Sequence, residues 1–510
     1  MGSGCQGSVL ACAPGHNNAC GERARAYAPA SPRSVSTRFI ASLAVALVFL
    51  VSGGTAGAQP VPDPAASAAP VAPEPSPPAP LPPAGVIPAG IALDVTGTPV
   101  ADGAFLDRQI RAALDRQIVP TLRPGASRTY GPIVPWPLPP LASGARAAVN
   151  VTVTLSGDGT SAPVTGLTTV TLNGVEVPPA PPTVLYLSDD PEYLLSEGLI
   201  FRGSVPADRP ARLYYYHSDI GLPRDLDVVL TAGAPARVQI VQSEAGPDLD
   251  VMSVGHTVSR DLLRFQRDNA GIVVDVLPGR PFVVRHALLL QGEVVAGAVD
   301  VHVVSGAAVD VAVVASPAGG RPDTYLNGPR VAFDGHRRHG TFDLSGFGSL
   351  AQTYTVGGPP ATVQYGTRTP TPRNLDPSDD GRDYGDYGVV RRITFTLVNP
   401  TDDPRRIYLY HKPLGGPVRG SFFIDGQFRE LGCARLPQPY WLTTYEMPPH
   451  STGASTTVTM TDGGSFYPVE FGVTDTQPLP YTPPVGSADG CSPTVPAFPD
   501  TTAAAGPKKQ

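Results

Sequence analysis

A short sequence motif that combines arginine, tyrosine and histidine occurs twice in the chain, and we call it the repeated phrase. It reads Pro-Ala-Arg-Leu-Tyr-Tyr-Tyr-His over 210–217 and Pro-Arg-Arg-Ile-Tyr-Leu-Tyr-His over 404–411, displaced by 194 positions without a gap. If each copy is a strand, alternate side chains share one face, and the Leu/Ile face is the core. The polar face then carries Arg212, Tyr214, Tyr216, Arg406, Tyr408 and Tyr410.

This polar face predicts a ligand-binding surface. Tyrosine rings beside an arginine can stack on sugar rings or on an exposed peptide. The alternative is that each arginine covers its neighbouring rings on the outer side of a sheet. Because the phrase is repeated, two copies of one structural unit are expected.

A second group of chemically capable residues is the aspartate-rich segment 376–386. Hard oxygen ligands at this density suit Ca²⁺. The candidate ligands are Asp376, Asp379, Asp380, Asp383 and Asp386. The segment is not an EF-hand, because Tyr387 stands where that loop needs a bidentate Glu. A solvated acidic turn is the alternative, with Arg373 and Arg382 as counter-ions. No other cofactor is expected.

Histidines and paired carboxylates give weaker signals. His336 with His339, and Asp300 with His302, could each supply two metal ligands, but the sequence names no third ligand. His217 and His411 are expected to be strand-end histidines bonded to backbone. Asp189, Asp190, Glu192 and Glu197 could serve a glycosidase, although capping of a short helix after Asp190 is the better explanation for this segment.

Several enzyme signatures are missing from the sequence after residue 58. It has no Gly-rich loop leading into a lysine, no Gly-x-Ser-x-Gly, no His-Glu-x-x-His and no Cys-x-x-Cys. These absences argue against P-loop nucleotide binding, a nucleophile elbow, a zinc-protease helix and a redox dithiol. An enzyme built from dispersed residues stays open.

Composition sets the expected fold. Among 510 residues there are 55 Gly and 61 Pro, and only 16% are charged, so chain reversals are frequent and long helices few. Short Val-, Thr- and Tyr-rich runs between these breakers are typical of strands. The predicted fold class is all-β, with tandem antiparallel β-sandwich domains of immunoglobulin-like type and a small β-rich N-terminal domain.

Local patterns place the other elements. Apolar residues spaced by three and four predict helices at 105–118 and 257–267. Asp190 followed by Pro191 predicts a short helix that ends at Gly198. Turn residues between apolar runs predict hairpins at Asn173-Gly174, at Ser305-Gly306 and across 333–342.

An apolar run at 39–51 indicates export. Arg33 and Arg38 precede it, and Ala-Gly-Ala at 56–58 has the small-x-small pattern of a cleavage site. The run is shorter than the about 20 residues that a membrane span needs. A signal peptide is therefore predicted, with no stable membrane span after cleavage and a secreted, periplasmic or extracellular location.

The predicted domain boundaries follow changes in composition. Segment 1–34 is either a mis-assigned start or a disordered, thiol-bearing extension. The other predicted segments are the signal peptide 35–58, a Pro/Ala-rich spacer 59–90, a small β-rich domain 91–185, a β-sandwich with repeat copy 1 at 186–318, a β-sandwich with repeat copy 2 at 321–475, and a Pro-rich tail 476–510.

Two cysteines follow the predicted cleavage site, Cys433 and Cys491. Disulfides persist in the oxidising compartments that exported chains enter. A Cys433–Cys491 disulfide would tie the tail to the last domain and stabilise the fold by about 4 kcal/mol on the chain-entropy estimate. Two unpaired structural thiols are the alternative.

These features predict an exported, non-catalytic binding or structural protein of a bacterial-type cell envelope, with a polysaccharide or a surface protein as ligand. The alternative is an extracellular hydrolase that acts on glycans through dispersed carboxylates. A cleft lined by two carboxylates of raised pKa would favour the hydrolase, and a flat aromatic strand face would favour binding. A nucleic-acid partner is not expected, because the formal net charge is −7 and no Lys/Arg-rich run occurs.

Overall fold

The chain folds almost entirely into β-strands, which confirms the predicted all-β class. The computed structural model describes residues 79–97, 103–138, 141–367, 371–435 and 438–480. The helices within these ranges are α1 (Gly103–Ile118), α2 (Val251–Asp268), α3 (Pro322–Tyr325) and a 3₁₀ helix (Val119–Thr121). The strands there are β1 (Gly90–Thr96), β2 (Ser127–Val134), β3 (Arg146–Ser156), β4 (Val164–Gly174), β5 (Val184–Ser188), β6 (Tyr193–Leu194), β7 (Gly198–Val205), β8 (Ala211–Asp219), β9 (Arg224–Ala232), β10 (Ala236–Asp248), β11 (Gly271–Val276), β12 (Phe282–Leu289), β13 (Val294–Gly306), β14 (Val309–Pro317), β15 (His339–Asp343), β16 (Ser349–Thr355), β17 (Ala361–Tyr365), β18 (Arg373–Asn374), β19 (Val390–Asn399), β20 (Arg405–Pro413), β21 (Val418–Ile424), β22 (Gln427–Ala434), β23 (Tyr440–Met447), β24 (Ser451–Met460), β25 (Val469–Thr474) and β26 (Leu479–Pro480).

These strands form four sheets within the described residues. The first sheet runs in the order β18-β15-β5-β8-β13-β10-β11-β1-β4-β3-β2, with β6 paired to β8. The second is β12-β9-β14-β7, the third is β16-β19-β24-β21-β22 and the fourth is β17-β25-β20-β23-β26. Strands from both sides of the predicted boundary at 185 lie in the first sheet, because β1 pairs with β11 as well as with β4.

Three apolar clusters show how the sheets pack. One joins the first and second sheets and continues beneath α1, where Phe105 and Leu114 are buried. A second cluster joins the third and fourth sheets. The third lies between the other face of the first sheet, helix α2 and the third sheet, and it includes Tyr214, Leu262 and Phe423. The sheets are thus stacked in the order second, first, third, fourth, with α2 beside the middle interface.

The two copies of the repeated phrase occupy corresponding strands. Strands β7 and β9 lie in the second sheet, and β8, between them in the chain, lies in the first. In the same way β19 and β21 lie in the third sheet, and β20, between them, lies in the fourth. The order β7-β14-β9-β12 in the second sheet matches β19-β24-β21-β22 in the third. β8 pairs antiparallel with β13, as β20 does with β23. The segment β10-α2-β11 occurs only after the first copy in the described chain.

The two predicted long helices are confirmed, and both have a local cause. Helix α1 covers the predicted range, with Phe105, Ile110 and Leu114 buried on one face. Helix α2 starts earlier than predicted, because Asp250 accepts a hydrogen bond from Ser253 N at 3.1 Å as its N-cap. It ends at Asn269, whose left-handed backbone is a common helix terminator.

The predicted short helix after Asp190 is wrong. The segment forms a turn and the two-residue strand β6 instead. The side chain of Asp190 does not cap a helix, because its two carboxylate oxygens accept hydrogen bonds from Asp334 N at 2.8 Å and Arg337 N at 2.9 Å. Long-range pairing with the 334–338 loop replaces the local capping interaction.

The alternating runs of β3 and β4 do form an antiparallel pair across the glycine turn at 157–159, but the hairpins predicted at Asn173-Gly174, at Ser305-Gly306 and across 333–342 are wrong. Strands β13 and β14 flank Gly306, yet they belong to the first and second sheets and are not paired with each other. Gly174 ends β4 and is followed by a loop to β5, and within 333–342 only the residues of β15 form a strand, which pairs with β5 and β18. At Gly306 the turn transfers the chain to the opposite sheet, which the local sequence does not distinguish from a hairpin. At the other two positions the next strand stays in the first sheet but pairs with strands from elsewhere in the chain.

Several predicted segments fall outside the described residues. These are 1–34, the signal peptide 35–58 and most of the spacer and tail. The last part of the spacer packs on the first sheet, where Ala84 is buried and its N–H donates to Ala162 O at 2.8 Å. Cys433 is buried beside Met252, and since Cys491 is not described, their disulfide stays a prediction. In the part of the chain that is described, no helix combines the length and the apolar character needed to cross a bilayer.

Candidate functional site

In the first copy, the polar face of the repeated phrase is an internal surface. Arg212, Tyr214 and Tyr216 are all buried. The Arg212 guanidinium binds Asp300 through two bonds of 2.6 and 3.0 Å and donates to Gly388 O at 2.7 Å. The ring of Tyr214 stacks on Tyr387 with centroids 6.0 Å apart. These residues bind the first sheet to the segment that leads into the third sheet.

The second copy lies on the outer face of the fourth sheet. Arg406 is exposed and ion-paired to Glu446. Tyr408 meets Trp441 edge to face with centroids 5.8 Å apart, and the hydroxyl of Tyr410 donates to Glu470 at 3.0 Å. Because these contacts bury both tyrosine rings, the copy exposes its arginine and not a flat pair of phenol rings.

The five aspartates of the 376–386 segment do not converge on one point. Asp376 is exposed and accepts hydrogen bonds from its own neighbour Ser378. Asp379 and Asp380 approach His339. Asp383 and Asp386 are buried, and burial raises the pKa of both carboxyl groups. Asp386 is in addition paired with Arg391 at 2.6 Å, so its carboxylate already has a cationic partner within the chain.

His339, Asp379 and Asp380 form a compact cluster at the edge of the first sheet. One ligand atom from each lies within 4.8 Å of the others. His339 Nε2 lies 2.8 Å from Asp379 Oδ1 and 3.9 Å from Asp380 Oδ1. On the other side of the ring, His339 Nδ1 lies 3.1 Å from Asp190 Oδ2. We call these four residues the His339 cluster.

The other histidines have mainly structural contacts. His217 Nδ1 lies 2.8 Å from Pro191 O, as expected for a strand-end histidine, and Nε2 lies 3.0 Å from Ser188 Oγ. His411 packs between Tyr365 and Phe422 without a backbone partner. Burial lowers the pKa of His217 to about 4 and that of His411 to about 3. Both are neutral at physiological pH.

A cleft of about 730 Å³ opens between the first and third sheets. Its floor comes from β8, β10 and β13, and one wall is the C-terminal end of α2. The opposite wall is the outer face of the third sheet with the loop before β16, and the 179–182 loop lies at its mouth. Lining side chains on which recognition would depend are Gln239, Gln266, His302, Phe347, Arg267 and Arg392. We refer to this as the cleft.

The cleft combines apolar walls with neutral and cationic polar groups. Burial lowers the pKa of His302, so its imidazole is uncharged at neutral pH. His302 Nδ1 is buried and has no hydrogen-bond partner among the described residues. Arg267 covers the Phe423 ring at 4.6 Å, and Arg392 is exposed on the opposite wall. Hydroxyl-rich ligands suit such a surface, because uncharged imidazole and amide groups both donate and accept hydrogen bonds.

The carboxyl groups with raised pKa values lie away from the cleft. Burial raises the pKa of Asp189, Asp225 and Glu244, but none of them lines the cleft. Asp189 is instead ion-paired to Arg338. Asp300 does line the cleft, where its carboxylate is neutralised by Arg212. Asp425 also lines the cleft, and its carboxylate accepts a hydrogen bond from the Tyr445 hydroxyl at 2.6 Å.

Sequence reasoning identified some of these residues and missed others. It named Asp300, His302 and Arg212, which do meet at the cleft, and it named His339 and the aspartates without linking them. It assigned Asp190 to a helix cap, and it missed Gln239, Phe347 and Arg392. The missed residues carry no local motif, since each reaches its site only through packing of strands far apart in sequence.

Comparisons with known proteins assign no family to this chain. No family description and no curated protein matches it. Solved structures resemble it only weakly. "Tripeptidyl Peptidase 2" shows 8% identity and a TM-score of 0.15 over 66% of this chain, which spans 27% of that protein. "PBSX exported protein XepA" shows 10% identity and a TM-score of 0.12, over 55% of this chain and 86% of that one. The "CBM22-1-CBM22-2 tandem domain" of Paenibacillus barcinonensis Xyn10C shows 8% identity and a TM-score of 0.11, over 69% and 92%.

Proposed function

We propose that this is an exported, non-catalytic binding protein of the cell envelope, and that the cleft binds a segment of envelope polysaccharide. The observation that carries the proposal is the cleft itself. Its size, about 730 Å³, falls in the range of roughly 300–1,000 Å³ typical of ligand sites. The export and the location rest on the apolar run and cleavage pattern of residues 39–58.

The lining of the cleft supports a sugar ligand over a protein ligand. Phe347 and Leu263 offer apolar surface on opposite walls, and His302 and Gln266 offer uncharged hydrogen-bonding groups between them. Sugars present both apolar ring faces and hydroxyl groups, which need this combination. The arginines on the two walls would add contacts to acidic sugars.

We propose further that the two sandwiches are immunoglobulin-like and arose by duplication of one unit. The repeat offset of 194 residues carries β8 (Ala211–Asp219) onto β20 (Arg405–Pro413), and the start of β9 onto the start of β21. The shared strand order of the second and third sheets supports the same conclusion. On this proposal the segment β10-α2-β11 is an insertion in the first copy, and its β10 and α2 contribute part of the floor and one wall of the cleft.

Binding can be tested with envelope polysaccharides from the source organism. The full chain and the variants His302→Ala and Phe347→Ala are titrated with solubilised polysaccharide fractions by calorimetry. Each variant is expected to weaken binding at least about tenfold, since buried hot-spot contacts typically contribute more than about 1 kcal/mol. The matched controls are His336→Ala and Phe466→Ala, an exposed histidine and phenylalanine outside the cleft, which should bind as the wild type does.

Three results would argue against the proposal. Equal binding by the wild type and both cleft variants would remove the cleft as the site. Recovery of an envelope protein in place of a polysaccharide would indicate a protein ligand. Release of new reducing ends from the bound polysaccharide would show catalysis, and would favour the alternative of a glycan-acting hydrolase with dispersed carboxylates.

A further inference from the structure

We infer that the His339 cluster is a binding site for one divalent transition-metal ion, Zn²⁺, held by His339 Nε2 and the carboxylates of Asp379 and Asp380. The site lies at the edge of the first sheet and is separate from the cleft. It joins the start of β15 to the loop between β18 and β19.

The His339 ring is fixed with one nitrogen facing the carboxylates. His339 is 2% exposed, and its ring stacks on Phe333 with centroids 3.9 Å apart and planes at 17°. Asp190 Oδ2 lies 3.1 Å from Nδ1 and can accept its proton. This leaves Nε2 unprotonated on the side of the ring where the Asp379 and Asp380 carboxylates lie. A carboxylate behind a histidine is the usual support of a metal-binding imidazole.

No group among the described residues forms a hydrogen bond with the buried Nε2. It lies 2.8 Å from Asp379 Oδ1 without forming a hydrogen bond to it. A buried polar atom is normally satisfied, so this orphaned nitrogen beside two carboxylates points to a shared cation. Ligand atoms about 2.0 to 2.1 Å from a tetrahedral Zn²⁺ lie roughly 3.3 Å apart. The two distances from His339 Nε2 to the carboxylate oxygens, 2.8 and 3.9 Å, lie on either side of that value.

The loop between β18 and β19 approaches His339 closely. A Cβ at Gly381 would lie 1.8 Å from His339 O, so only glycine allows this contact. Asn374 donates its side-chain amide to Asp379 O at 3.0 Å and to Gly381 O at 3.3 Å. Arg382 N donates to Arg337 O at 2.7 Å. Asp379 Oδ1 also accepts a hydrogen bond from Gly381 N at 2.8 Å, so backbone and side-chain contacts together hold this loop beside His339.

The donor set selects the metal. One imidazole nitrogen with two carboxylate oxygens suits Zn²⁺, whereas Ca²⁺ takes oxygen ligands and prefers six to eight of them. Three protein ligands leave a coordination position for water. The Asp380 side chain is 64% exposed, so that position faces solvent and the ion can enter from it. The other oxygen of Asp380, Oδ2, lies 3.4 Å from the exposed Arg337 guanidinium.

The test uses the full chain without an affinity tag, because a polyhistidine tag would itself bind Zn²⁺. Zn²⁺ alone is titrated by calorimetry after chelator treatment, and bound metal is counted by mass spectrometry. One ion per chain and a higher melting temperature in Zn²⁺ than in chelator are expected. Asp380→Asn and His339→Gln should each weaken Zn²⁺ binding at least about tenfold, and Asp190→Asn about 10- to 100-fold.

Control variants lie in the same two loops. His336→Gln and Asp376→Asn change exposed residues outside the cluster and should bind Zn²⁺ as the wild type does. Asp380→Asn removes an exposed carboxylate, so its result does not depend on a folding defect. A wild type that binds no Zn²⁺ would show that His339 and Asp379 form a plain ion pair. Equal binding by Asp380→Asn would place the ion elsewhere, and Ca²⁺ binding as tightly as Zn²⁺ would refute the role of the nitrogen ligand.

Discussion

Two arginines at equivalent positions of the repeat have opposite environments. Arg212 is 2% exposed and forms a two-bond ion pair with Asp300. Arg406, 194 residues later, lies on the outer face of the fourth sheet with Glu446. A buried pair that loses one partner leaves an uncompensated charge in the interior. An exposed pair is screened by water and contributes little.

Replacement of these arginines should therefore have unequal effects on stability. We expect Arg212→Met to lower the free energy of unfolding by about 3–5 kcal/mol, because Asp300 then stays buried without its guanidinium partner. Arg406→Met is the matched control and should leave the free energy of unfolding nearly unchanged. Urea unfolding followed by tryptophan fluorescence measures both. Similar losses in the two variants would contradict the difference in burial.

The sequence predicts which face of each repeated strand is apolar. The alternation of side chains along β8 and β20 was readable from the sequence, and Leu213 and Ile407 do lie in apolar cores. The sequence does not predict what covers the opposite face of these two strands. In the first copy, α2 and the third sheet lie over that face, and both come from distant parts of the chain. The same arginine-tyrosine pattern therefore serves as an interface in one copy and as an outer surface in the other.

At the scale of elements, helix α2 depends on one close approach. Gly255 packs against the 461–468 loop, and a Cβ there would lie 1.9 Å from Gly463 O and 2.3 Å from Gly463 C. The neighbouring atoms are backbone and cannot rotate away. Since α2 also forms one wall of the cleft, this contact positions the wall relative to the third sheet.

Gly255→Ala should accordingly separate α2 from the third sheet. Alanine is the better helix former by about 1 kcal/mol, yet the clash should outweigh that gain, and the variant should be less stable than the wild type by several degrees in melting temperature. The control is Gly103→Ala at the start of α1, where a Cβ meets no atom within 4 Å. Calorimetry compares the two. Equal or higher stability of Gly255→Ala would show that the close approach is relaxed in solution.

The sequence predicted strands and helices better than it predicted their pairing. Periodic apolar residues gave α1, α2, β3 and β4, because each buries one face whatever its neighbour is. The Ser305-Gly306 turn was misread, since β13 and β14 continue into different sheets. The His339 cluster shows the same limit. Its histidine and aspartates were each noticed, but their meeting depends on the pairing of β15 with β5 and β18.

At the scale of the whole molecule, the two sandwiches are joined by a buried ionic bridge. His256 on α2 lies 2.6 Å from Asp462 and 2.7 Å from Glu430, both from the second sandwich. Arg260, also on α2, lies 3.9 Å from Glu430. Burial by itself lowers the pKa of His256, but the two carboxylates outweigh it and raise the pKa to about 9. The same contact lowers the pKa of Glu430.

The bridge makes the junction of the sandwiches sensitive to pH. The unfolded pKa of histidine is about 6.5, so the folded protein binds the proton more tightly. The stabilisation is fully present below about pH 6.5 and is lost as the pH rises through about 9. A shift of this size corresponds to a contribution on the order of 3 kcal/mol.

We therefore expect the free energy of unfolding to fall between pH 6.5 and pH 9.5 in the wild type, and to change much less over that range in His256→Gln. Urea unfolding at a series of pH values measures the slope, and the difference between the two proteins isolates His256 from the other titrating groups. Because the bridge lies between the sandwiches, its loss should also reduce the cooperativity of their unfolding. The single urea-unfolding transition expected at pH 6.5 should therefore broaden or split into two above pH 9. If His256→Gln kept the same decline with pH, the bridge would not be what couples the two halves of the molecule.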